Sequence, residues 1–92
     1  MKYNLPDRVL RDITRFAKMH SITKIILFGS RARGTNTERS DIDIAVSGVE
    51  NFDELAEKVE ELPTLYSVDL LNADTCRNEL LLEDIRKYGR EI

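Results

Sequence analysis

Ninety-two residues, 41% of them hydrophobic and 34% charged, suffice for one domain (1–92) with a single modest core and are too few for two. A net charge of −3 argues against a broad basic footprint, so no independent nucleic-acid binding is expected. No apolar stretch approaches a membrane span, MKYNLPDR lacks the apolar run of a signal peptide, and the single cysteine, Cys76, leaves no internal disulfide or cysteine-based zinc site. A reducing cytoplasm and no membrane partner are the expectation.

The first predicted element is a helix from Leu5 to about His20, in which Val9, Leu10, Ile13, Phe16 and Ala17 recur at helical spacing. Pro6 suits its first turn and Asp7 its positive end. His20 falls at the far end, where a histidine more often meets the helix dipole than a substrate. A buried strand follows from Ile22 to Phe28 and breaks at Gly29-Ser30. Ser30-Arg31-Ala32-Arg33 can form one helical turn that Gly34 stops, and the segment to Ser40 is rich in Gly, Thr, Asn, Ser and Arg, as a functional loop should be.

A second strand runs from Asp41 to Val46 and ends at Ser47-Gly48. Asn51, with Glu54 three residues on, has capping-box spacing for a helix whose apolar face is Phe52, Leu55, Ala56, Val59 and Leu62 and which Pro63 ends. Its other face is acidic and reads as solvated. LYSVDLL, Leu65 to Leu71, predicts a third strand. After a turn at Asn72 to Thr75, a last helix places Leu81, Leu82, Ile85 and Tyr88 at core spacing until Gly89. Cys76 reads as a small buried or half-buried residue without chemistry. The order is α-β-α-β-α-β-α, an α/β (α+β) domain with a three-stranded sheet and helices packed mainly on one side. The helix between strands two and three is long enough for a parallel crossover.

The chemistry concentrates between Lys24 and Val46, KIILFGSRARGTNTERSDIDIAV. Side chains alternate along a strand, so Asp41 and Asp43 share the face opposite Ile42, Ile44 and Val46, with Cα atoms roughly 6.5–7 Å apart. Two such carboxylates repel each other unless a cation lies between them, and a divalent metal ion is the usual one. Gly29 lets the backbone turn sharply and lets a ligand approach it; the first N–H groups of the following turn then point at whatever lies past the strand end. Phosphate beside a metal held by two aspartates is the arrangement of phosphoryl or nucleotidyl transfer. Arg31, Arg33 and Arg39 lie where a triphosphate would need them, although any one of them is as readily a solvated loop residue. Asp69 interrupts an apolar strand, which suggests either a third member of the carboxylate group or an edge-strand aspartate facing water.

Gly29-Ser30, ten intervening residues and Asp41-Ile42-Asp43 resemble the GS-x10-DxD signature of the DNA-polymerase-β-like nucleotidyltransferases. The short chain and the fuller spelling GSRARG…SDIDIAV are most similar to the minimal nucleotidyltransferase branch, whose members are often antitoxin partners of HEPN-domain proteins. The resemblance implies a nucleotidyltransferase fold with a mixed sheet, and a third acid on the strand after the DxD strand, at Asp69. It further implies two Mg2+ ions held by Asp41, Asp43 and Asp69, with Gly29 and Ser30 at the phosphates and Arg31 or Arg33 against the departing pyrophosphate. The implied activity is transfer of AMP from ATP to a hydroxyl, a tyrosine of a HEPN-type toxin. Two alternatives accompany it: an antitoxin acting by steric binding alone, and an antibiotic-type nucleotidyltransferase subunit acting on a small molecule.

Overall fold

A computed structural model describes residues 5–92; Met1–Asn4, the start of the MKYNLPDR stretch, lie outside the described residues. Helix α1 spans Asp7–Met19 with Pro6 just ahead of it, Asp7 in its first turn and Lys18 in its last, each at the end its charge favours. It buries Val9, Ile13 and Phe16. His20 caps α1, its N–H donating to the Phe16 carbonyl at 3.0 Å, and its ring is buried. Strand β1 is Lys24–Phe28, shorter at its start than expected.

Strand β2 (Ile42–Ser47) runs antiparallel to β1, with Phe28 opposite Asp43 and Lys24 opposite Ser47. Helix α3 (Phe52–Glu60) has the capping box its sequence announces: the Asn51 side chain accepts from the Glu54 N–H at 3.2 Å and donates back to the Glu54 carboxylate at 3.3 Å. It carries the chain across to β3 (Val68–Asn72), which pairs parallel with β2, as a helical crossover permits. The expected third strand is trimmed at its start, where Leu65 is fully exposed. Helix α4 (Glu79–Tyr88) is capped by the Asn78 side chain accepting from the Leu81 N–H at 3.1 Å. Between β1 and β2 lies the single-turn helix α2 (Ser30–Arg33).

The sheet has a fourth strand that the sequence pattern did not announce. β4 (Arg90–Glu91) returns along the outer side of β1, with Leu27 opposite Arg90, giving the order β3-β2-β1-β4. Two residues are too few for a readable alternation; the strand forms because the Gly89 backbone packs against Ile26 and the end of α4, where a Cβ would collide with the Ile85 carbonyl oxygen.

Alternation divides the sheet residues between two faces. Ile25 and Leu27, with Ile42, Ile44 and Val46, meet α1 and α3 in the main core. Phe28 and Ala45 meet Ile85 of α4, with Ile26, Leu71 and Leu81 around them, on the opposite face. Three helices thus serve one face and α4 part of the other. Tyr88, expected at core spacing, is 43% exposed, because α4 buries only Ile85 fully and presents its C-terminal turn to solvent. Among the described residues no helix is long and apolar enough to cross a membrane.

Candidate active site

The C-terminal end of β1 and the N-terminal ends of β2 and β3 fall at one edge of the molecule, a consequence of the antiparallel and parallel pairings. There Asp43 is in register with Asp69 across the parallel pair and with Phe28 across the antiparallel one. Register partners on neighbouring strands point to the same face, so Asp43 and Asp69 stand together on the face that α4 leaves partly open. Asp41 sits one residue ahead of β2 rather than inside it, and is exposed. Asp69 fits both readings its sequence offered: it lies on an edge strand and is exposed, yet it stands beside Asp43.

The electrostatics of the group follow from burial first and from that crowding second. Asp43 has its pKa raised from 3.8 to about 6, first by burial, then by the charges of Asp69 and Asp41 and a hydrogen bond shared with Asp69; Arg33 pulls the other way. The carboxylate surplus is therefore only partly compensated by the protein itself. Gly29 closes the site from the β1 side. Its φ of 74° and ψ of −156° belong to a region essentially reserved for glycine, and a Cβ there would strike Asp43 Oδ2. The bare backbone is what lets strand end and carboxylate meet.

The turn after Gly29 forms as expected, with the Ala32 and Arg33 N–H groups both donating to the Gly29 carbonyl at 3.1 Å and Gly34 stopping it in the left-handed conformation. Those two N–H groups serve the fold, and Ser30 and Arg33 are the members of the turn whose side chains suit a phosphate.

The arginines separate in role. Arg31 is 2% exposed, and its guanidinium donates to the Ser40 carbonyl at 3.2 and 3.0 Å and to the Glu38 carbonyl at 3.3 Å. It also lies over the Tyr66 ring, 5.0 Å from the centroid. A phosphate role does not suit that placement; Arg31 fastens the loop that delivers Asp41. Arg33 is half-exposed and donates from Nη1 to Asp84 Oδ1 at 2.9 Å. Arg39 is exposed on the loop. Tyr66 and Asp84 are the site's unannounced members. No local pattern marks either, since each earns its place through a residue more than thirty positions away.

Among the described residues no group of three or more His, Cys, Asp or Glu is drawn together tightly enough to hold a metal ion. The donor set nonetheless suits magnesium, which prefers hard oxygen ligands and is usually held by one or two carboxylates plus substrate phosphates rather than by an all-protein cage. The Asp43–Asp69 pair, with its excess negative charge, is such a donor set.

The family model for polymerase beta nucleotidyltransferases matches residues 11–92. The chain belongs to that family. Two relatives from Methanocaldococcus jannaschii, each named "Putative protein adenylyltransferase", are 45% identical over 64 residues and 38% identical over 74 residues. The first alignment covers 70% of this chain and 63% of the relative, the second 74% of each, so the chain spans under two thirds of the first relative's length. Among solved structures, the nucleotidyltransferase fold recurs in a toxin–antitoxin crystal structure with AMP-PNP, at a TM-score of 0.65 and 24% identity, covering 94% of this chain and 72% of that one. A mutant of the MntA-HpeT toxin–antitoxin gives 0.62 at 23% identity, covering 88% and 69%.

Proposed function

We propose that this chain is a metal-dependent nucleotidyltransferase that moves AMP from ATP to a hydroxyl, a tyrosine of a HEPN-type toxin, and thereby acts as its antitoxin. The observation that carries the reading is the Asp43–Asp69 pair, with Asp43 packed on the bare Gly29 backbone: an under-compensated anionic site at the wall of an open cavity that Arg33 also lines. The names of the M. jannaschii relatives support protein as the acceptor, and the toxin–antitoxin structural neighbours, one with AMP-PNP, support the partner and the adenine nucleotide.

Of Asp41, Asp43 and Asp69, Asp43 with one neighbour beside it would hold magnesium, the substrate phosphates supplying further oxygens. Bound there, the ion would supply neutralisation of the polyphosphate charge and acidification of the acceptor hydroxyl. Ser30 and Gly29 would seat the β- and γ-phosphates, and Arg33 would meet the charge that develops as pyrophosphate leaves. The acceptor oxygen forms its bond to the α-phosphorus as the bond to the β-phosphate oxygen breaks. Asp69, on the edge strand of the sheet, would take the hydroxyl proton.

The test is co-incubation of the chain with the protein encoded beside it, ATP and magnesium, followed by mass spectrometry of both. Addition of AMP to a tyrosine of the partner, with loss of the partner's toxic activity, is the expected result. Inhibition of an unmodified partner would favour steric binding, and efficient transfer to small molecules by the chain alone would favour the antibiotic-type enzyme.

A further inference from the structure

The Arg33–Asp84 contact joins α2 to α4 across 51 residues, at 2.9 Å between Nη1 and Oδ1. With side chains 37% and 25% exposed, it is a partly solvated pair of a kind that adds little to stability. Its location is more telling. Arg33 and Asp84 line one open cavity of about 500 Å³ together with Gly29, Asp43, Asn78 and Leu81. That cavity lies on the β1 side of the carboxylates, the side from which the Gly-Ser turn approaches.

Helix geometry explains how α4 reaches it. Ile85 is anchored in the core of this face with Leu81 beside it, so Asp84, three residues beyond Leu81, is presented at the cavity wall. The guanidinium it engages has five donors in a rigid planar fork, and one bond to Asp84 occupies only part of that fork. A long arginine side chain held in one orientation before a ligand arrives loses less entropy when it binds.

We propose that Asp84 is a positioning residue, holding the Arg33 guanidinium in the cavity wall where it meets the polyphosphate of a nucleoside triphosphate. The proposal rests on the nucleotidyltransferase reading above and adds the residue that orients its phosphate-binding arginine. The sign of its effect is diagnostic. Asp84 is an anion beside a site for a tetra-anionic ligand, so by bare charge alone its removal would tighten triphosphate binding. Loss of orientation weakens it.

The experiment is calorimetric titration of magnesium with an ATP analogue non-hydrolysable between the α- and β-phosphates, and of AMP in parallel. The proteins are wild type, Asp84→Asn, Asp84→Glu, Arg33→Gln and the Arg33→Gln/Asp84→Asn double variant. Asp84→Asn is expected to weaken the triphosphate analogue about 2–10-fold, with AMP binding and the melting temperature little changed. Asp84→Glu should restore part of the loss, and adding Asp84→Asn to Arg33→Gln should weaken binding no further. Equal or tighter analogue binding by Asp84→Asn, a parallel loss for AMP, or an additive double variant would overturn the positioning role while leaving the nucleotidyltransferase reading intact. Absence of analogue binding by wild type would remove that reading, and this inference with it.

Discussion

Asp43 is the residue on which the charge balance of the site turns. Its raised pKa means that the folded state binds a proton more tightly than the unfolded chain, so the contribution of Asp43 to stability is fully present below 3.8 and is lost as pH rises through about 6. In metal-free buffer Asp43→Asn removes that slope. The melting temperature of the variant, relative to wild type, is expected to climb between about pH 4 and pH 6 and then level off; a difference independent of pH would contradict the raised pKa that burial and the neighbouring carboxylates give Asp43. Asp69 gives a separate test, because it stands beside Asp43 but on the open edge strand. Asp69→Asn should abolish AMP transfer, by two orders of magnitude or more, while magnesium–ATP binding largely survives on Asp41 and Asp43. Near-normal turnover in that variant would make Asp69 an ordinary edge aspartate.

At the scale of elements, the loop from Gly34 to Asp41 is ordered from inside by Arg31, which ties it to α2 through the Glu38 and Ser40 carbonyls and lies over Tyr66, just before β3. Lysine keeps the charge but lacks the planar fork, so Arg31→Lys should cost about 1–3 kcal/mol of stability and speed amide exchange across the loop. An unchanged melting temperature with loss of the nucleotide response would instead return Arg31 to the phosphates. The cap of α3 is a smaller and independent contribution: Asn51→Ala, which removes the bond to the Glu54 N–H, should cost about 1 kcal/mol and leave nucleotide binding untouched.

For the molecule as a whole, the candidate site is where three strand ends meet, an edge that α4 covers only in part and beside which Leu80 is largely exposed. A ligand bound there stabilises the folded state by mass action. Magnesium with ATP should therefore raise the melting temperature of wild type, and the Asp41→Asn/Asp43→Asn variant should lose the response while being at least as stable without metal. Equal shifts in the two proteins would remove the aspartates from the metal site.

Much of this arrangement was legible in the chain. The Gly29-Ser30 break, the alternation through Ile42-Asp43-Ile44 and the Asn51–Glu54 box each depend on residues within a few positions of one another, and local sterics and hydrogen bonding decide them. The apolar periods of α1 and α3 likewise determined which faces would be buried. Other features exist only once distant segments meet. β4 is two residues paired to the free side of β1, Tyr88 lies outside the core because α4 anchors at Ile85, and Asp69 becomes a neighbour of Asp43 only through the parallel register. Arg31 and Arg33 look alike in the sequence, two residues apart on one turn. The tertiary structure sends one into the loop and the other to Asp84, because what an arginine does is set by the acceptors that folding brings within about 3 Å of its fork.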